Sequence, residues 1–250
     1  MIASAGFNPL HSEAERALVR LRQFHRLVAQ HSARYFPTLV MNDGAAAYRD
    51  LSFRHRSVGY DFLARAWNLF SDINSAETKQ SFPGVRLVLA VGFRMRGRRA
   101  GIDASSAHLQ SIIRRYEADE LTADEAIREA TSVRQPFDII PQLQANFAFT
   151  KAYLAEASGT VGGFSGPNFF IDLSLFESPP PPWLVIDSPF DWAHPKLGLK
   201  TSFAHLIDLP RWTHVERGPL GILDGLEVAK RQTRDPNVLR ALRTASKTVV

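Results

Sequence analysis

The stretch GVRLVLAVGF, residues 84–93, restricts the fold more than any other part of the chain. Successive side chains of an extended segment point to opposite sides, so a strand apolar on both faces must be covered on both. Through Val91 this run is apolar on both faces, and it reads as a central strand of a sheet with helices packed over it.

The segments around it supply those helices. Ser12 and Glu15 have the spacing of a capping box, and EAERALVRLRQFHRLVAQHSARYF carries Leu, Val and Phe at helical intervals, predicting a helix over roughly 13–33. FPTLVMNDGAAAYRDLS reads as strand, turn and strand. GYDFLARAWNLFSDINSAETKQ is a second amphipathic helix with Phe62, Ala66, Leu69, Phe70 and Ile73 on one side. Beyond residue 100, SSAHLQSIIRRYEA and TADEAIREATSV read as helices, the second with Thr122 and Glu125 as a capping box. QANFAFTKAYLAEA is a helix with Ala145, Ala148, Phe149 and Ala152 sharing a face, and NFFIDLSLF is a strand. SPPPPW is a stiff spacer. One or two strands are expected after it, then a short helix at GILDGLEVAKRQ. This order predicts an α+β or α/β fold with one mixed sheet covered by helices.

Composition narrows the function classes. The 250 residues are 45% hydrophobic and 22% charged, ordinary for a globular protein, and hold no run of about 18 apolar residues. The N-terminal stretch is too short in its apolar part and too acidic afterwards for a signal peptide. With no cysteine there is no disulfide, thiolate nucleophile or cysteine zinc site, and a cytoplasmic location is the expectation. The net charge of +5 suggests anionic ligands, and it is concentrated at Arg94, Arg96, Arg98 and Arg99, with Arg86 before and Arg114–Arg115 beyond. The patch suits phosphates or is a solvated strand end and loop. A nucleic-acid reader would be expected to add interleaved aromatics and a recognisable module, and neither is evident. The loop GTVGGFSG lacks the Gly-Lys-Ser/Thr ending of a P-loop, and its glycines read as turn formers.

Three short motifs carry chemistry when taken in order. Asn42-Asp43-Gly44 is a hairpin turn signal, and Asp43 is either a turn residue or a carboxylate presented at the tip. In FDII, Asp138 follows an aromatic and is either a recognition carboxylate or an N-cap or turn residue. In NFAFTKA, Asn146 is either a site residue or a hydrogen bond to a neighbouring strand, and Lys151 is either a site cation or a solvated helix residue.

The joint order of elements and motifs resembles a class III nucleotide cyclase domain over roughly residues 1–176, leaving 177–250 as a C-terminal extension packed on the same domain. Asn42-Asp43-Gly44 sits where such cyclases place a Gly-Asp hairpin. Asp138 lies in what is similar to their base-recognition strand, at a spacing to Asn146 that is one residue longer than the family's. Asn146 matches the Asn that precedes a transition-state Arg by four residues, which puts Thr150, beside Lys151, at the Arg position. Within the superfamily the chain is most similar to the pyrimidine cyclases of bacterial antiphage (Pycsar) systems.

The resemblance implies a ferredoxin-like βαββαβ core and a lyase activity. UTP or CTP would become a 3′,5′-cyclic mononucleotide and pyrophosphate, as a defence signal. It implies Mn²⁺ or Mg²⁺ held by Asp43 and a head-to-tail homodimer with sites at the interface. Asn146 would orient the ribose, and Thr150 or Lys151 would take part of the Arg's role. Leu39, Tyr48 and Asp138 would lie near the base, with Leu39 replacing a purine-reading Lys, and Arg94 would contact substrate. The pattern departs at the first metal ligand, where an Asp-x-x-Gly-Phe motif would fall on Ala3 to Phe7 and Ala3 replaces the Asp. Ala3 and Thr150 support an alternative, a catalytically degenerate homologue that binds nucleotide or a partner.

Overall fold

The computed structural model describes residues 12–95, 104–133, 142–210 and 221–248. Its elements, in chain order, are α1 (Ser12–His31), β1 (Thr38–Met41), β2 (Gly44–Ala47), α2 (Ser57–Lys79), β3 (Leu87–Leu89), α3 (Ala104–Glu117), α4 (Ala123–Ser132), α5 (Phe147–Ser158), β4 (Phe169–Asp172), β5 (Val185–Ile186), β6 (Phe190–His194), β7 (Leu199–Asp208), α6 (Gly225–Gln232) and α7 (Pro236–Thr248). The chain divides into two compact units, Met1–Gly92 with Ala148–Val250, and Phe93–Phe147.

The first unit is mixed α and β. Its five-stranded sheet runs β3-β4-β7-β5, with β6 also paired to β7. The β3–β4 pair is parallel and the β4–β7 and β6–β7 pairs are antiparallel, so the sheet is mixed. The two-sided apolar pattern of residues 85–91 has a direct cause. Val85, Leu87, Leu89 and Val91 pack into one core with α1 and α2, whereas Val88 and Ala90 pack into a second core with Ala155, Phe164, Phe170, Trp192 and Phe203. Among the described strands β3 ends the order, and β4, buried at all four positions, lies between it and β7. Register continues the alternation, pairing Leu87 with Phe169, Val88 with Phe170 and Leu89 with Ile171.

On the first face, Leu63, Ala66, Leu69 and Ile73 of α2 are buried, and Phe24 and Val28 of α1 complete the contact. Each buried large aliphatic side chain contributes about 1.5–3 kcal/mol. Arg20 of α1 donates from Nε to Glu77 Oε2 of α2 at 2.7 Å, which satisfies a carboxylate only 6% exposed. On the second face, the Phe164 ring meets Phe170 and Phe203 edge-on, with centroids 5.0 Å apart in each pair.

Several boundaries differ from the sequence reading. The hairpin β1–β2 is a two-stranded sheet of its own among the described strands, not part of one mixed sheet. Residues 1–11, where the resemblance places a first strand, lie outside the described residues. α5 buries Lys151 and Ala155, one turn apart, instead of the Ala148–Phe149–Ala152 face. It begins at Phe147, and Ala145 precedes it in a left-handed conformation, with φ 45°. Three strands, not one or two, occupy 185–208, and β7 from this C-terminal region is hydrogen-bonded to β4. A final helix, α7, follows α6.

The second unit is built on α3 and α4. Thr122 and Glu125 form the expected capping box: Glu125 N donates to Thr122 Oγ1 at 3.3 Å, and Thr122 N donates to Glu125 Oε2 at 2.9 Å. At the base of the unit, Met95 N donates to Ala145 O and Phe147 N donates to Phe93 O, at 3.1 and 2.9 Å. Among the described residues no helix is long and apolar enough to cross a membrane.

Candidate functional site

The hairpin tip is set by backbone geometry. Met41 pairs with Gly44, so the turn proper is Asn42-Asp43, and Gly44 is already the first residue of β2. Asn42 takes φ 57°, a left-handed conformation that Asn tolerates better than most residues. Its carbonyl accepts a hydrogen bond from His25 Nε2 of α1 at 3.0 Å. A carbonyl only accepts, so Nε2 carries the proton. The loop is thereby tied to α1, and Asp43 is exposed beside it. Leu39, paired with Ala46, and Tyr48, just past β2, are half-buried.

Mn²⁺ and Mg²⁺ take hard oxygen ligands, and a two-metal centre needs several carboxylates converging. The turn contributes the single carboxylate of Asp43, and no group of three or more His, Cys, Asp and Glu that could hold a metal is present among the described residues. The described residues do not fit a two-metal centre.

The most developed polar cluster in the first unit centres on Lys151. The reading of Lys151 as a solvated helix residue gives way: its side chain is 2% exposed and its ammonium lies 2.9 Å from Oδ2 of Asp172, which is fully buried. Oδ2 also accepts from Val91 N at 3.2 Å. Oδ1 accepts from Ser174 N at 3.0 Å and from the hydroxyls of Ser174 and Thr201, each at 2.6 Å. Gln232, the last residue of α6, reaches both sides of the pair. Its Oε1 accepts from Lys151 Nζ at 3.5 Å, and its Nε2 donates to Ser174 Oγ at 3.0 Å. Ionised groups survive such burial only when paired and hydrogen-bonded: both Asp172 oxygens accept, and the Lys151 ammonium donates to Asp172 and, at longer range, to Gln232. The cluster ties α5, β4, β7 and α6 together. Sequence reasoning passed over Asp172. The available signal was an acidic residue closing the apolar run Phe169-Phe170-Ile171, where burial demands a cation. Thr150, beside Lys151, is half-buried in α5.

In the second unit the structure brings Arg94 and Asn146 together as an isolated antiparallel bridge. Asn146 lies outside α5, is 5% exposed, and donates from Nδ2 to Gln142 O at 3.0 Å. Asp138, Arg96, Arg98 and Arg99 lie outside the described residues.

No family model, curated protein or solved structure matches the chain.

Proposed function

We propose that the chain is a nucleotide cyclase acting on a pyrimidine nucleoside triphosphate, UTP or CTP, and that the cyclic mononucleotide it makes is an antiviral signal. The observation that carries the reading is a carboxylate, Asp43, exposed at a hairpin tip held from α1, within the described order helix, hairpin, helix, strand, three helices, strand. In the reaction the ribose 3′-oxygen bonds to the α-phosphorus, the bond to pyrophosphate breaks, and the hydroxyl proton passes to solvent. Within the first unit this reading gives Leu39 and Tyr48 to the base and Thr150 to the phosphates. Arg94, Asp138 and Asn146 keep the roles that the resemblance implies, in a homodimer.

A second reading is favoured by the Lys151–Asp172 pair. The cation beside Thr150 is committed to a buried carboxylate, which leaves Thr150 without that neighbour's charge. On this reading the chain binds a nucleotide or a partner domain without turnover.

The test incubates the protein with ATP, GTP, CTP and UTP plus Mn²⁺, with cyclic products read by mass spectrometry beside an Asp43→Ala control. A single cyclic pyrimidine nucleotide that vanishes in the control supports the cyclase. Saturable nucleotide binding with no product supports the second reading, and neither binding nor product from folded protein sinks both.

A further inference from the structure

The arginines at the end of α3 line a groove that the proposed cyclase chemistry does not use. It measures about 460 Å³ and is bounded by Ala107, Gln110, Ser111, Arg114, Arg115 and Glu120. The first four share one helical face, at i, i+3, i+4 and i+7. Ala107 and Ser111 are small, so the helix surface recedes there, and the longer side chains of Gln110 and Arg114 form the walls.

The two arginines are not equivalent. Arg115 is held by carboxylates, with Nη1 2.8 Å from Glu129 Oε2 and Nε 3.9 Å from Glu120 Oε2. Arg114 is exposed and has no carboxylate partner among the described residues. Both stand in the last turn of α3, where a cation complements the negative helix end. That role accounts for charge at this end but does not require a recess in front of it. Beside Arg114 the groove offers the Ser111 hydroxyl and the Gln110 amide as neutral donors. A guanidinium fork with hydroxyl and amide donors is the set that recognises phosphoryl oxygens. The volume lies within the roughly 300–1,000 Å³ of small-molecule sites and is far more than one phosphate fills. The local charge is only mildly positive: residues 93–120 carry six arginines against Asp103, Glu117, Asp119 and Glu120, and Glu120 itself lines the groove, so the recognition rests on the Arg114 fork and its neutral neighbours.

We infer that the α3 groove binds an oligophosphate, either free or as the phosphate tail of a nucleotide, with Arg114 as the main contact. The site belongs to the second unit and does not depend on Asp43 or on turnover.

The experiment titrates the full chain calorimetrically with tripolyphosphate, UTP and uridine at low salt. Saturable binding of tripolyphosphate is expected. UTP should match it in the Asp43→Ala variant if the phosphate tail is what binds, and uridine should not bind. Arg114→Gln should weaken tripolyphosphate at least tenfold, and so should Ser111→Leu, which fills the recess without changing charge. Asp43→Ala should leave tripolyphosphate binding within twofold, so loss of cyclase activity and loss of this site are separable. Lys79→Gln, an equal charge change on exposed α2 surface, should also stay within twofold. Equal weakening by Lys79→Gln and Arg114→Gln, unchanged binding in Ser111→Leu, or no saturable tripolyphosphate binding would each overturn the inference.

Discussion

Lys151 Nζ and Asp172 Oδ2 stand 2.9 Å apart with side chains 2% and 0% exposed, and they join the helix α5 to the middle of the sheet. Removing one partner of such a pair strands the other charge away from water. Lys151→Met is expected to lower stability by about 3–5 kcal/mol. The double variant Lys151→Met/Asp172→Asn removes both charges and should lose less than the sum of the two single changes. Urea midpoints of the four proteins check this. An additive cycle would mean that the two groups do not interact through their charges.

Gly163 and Gly198 separate backbone strain from crowding. Both have positive φ, 92° and 61°. A Cβ at Gly163 would fall 2.6 Å from the Phe190 ring, whereas one at Gly198 would meet nothing within 4 Å. The Phe190 ring cannot simply turn away, because it packs edge-on against Phe164 with centroids 5.2 Å apart. Gly198→Ala should cost roughly 1–2 kcal/mol, the backbone share alone. Gly163→Ala should cost visibly more, since the aromatic cluster must also shift. Thermal melts of the two variants decide it, and equal losses would remove the ring from the account.

The capping box at α4 predicts a pH effect with a definite sign. Chiefly the hydrogen bond from the Thr122 hydroxyl, then the one from its backbone N–H, hold the Glu125 carboxyl below its ordinary value of 4.5. A folded-state value below the unfolded one stabilises the folded form above the unfolded pKa, and that gain is lost as pH falls through the folded pKa. NMR titration should therefore find Glu125 protonating below its ordinary range. In Thr122→Ala its midpoint should return upward, and the helix should lose its acid sensitivity at that end.

The parts of the fold legible in the sequence were those fixed by local pattern. Thr122 and Glu125 announced a helix start because the box needs only four consecutive residues. The alternation from Val85 to Val91 announced two covered faces, because side-chain direction follows from the strand itself. What the pattern does not encode is which neighbour a strand finds, and among the described strands it is β4, not β3, that has a neighbour on each side in this part of the sheet. The burial of Lys151 was illegible for the same reason. On a helix it looks like any solvated lysine, and only Asp172, 21 residues later, makes its burial tolerable. Asp43 was legible as a turn residue from its neighbours, and its exposure at the tip follows from the tight pairing of Met41 with Gly44.

The same turn allows geometry and chemistry to be separated by mutation. Asn42 has φ 57°, and Asp43 is exposed without a positive φ. Asn42→Ala should cost about 1 kcal/mol of backbone strain, and Asn42→Gly should recover it. Asp43→Ala removes an exposed carboxylate from a position without a positive φ and should cost less than Asn42→Ala. These stabilities, read from denaturant midpoints, give meaning to the activity assay. A loss of cyclic product in Asp43→Ala at unchanged stability reports a chemical role for the carboxylate. A loss in Asn42→Ala that returns in Asn42→Gly reports only the aim of the loop. If Asp43→Ala instead destabilises the fold as much as Asn42→Ala does, the carboxylate is a turn residue, and the cyclase reading loses the observation on which it stands.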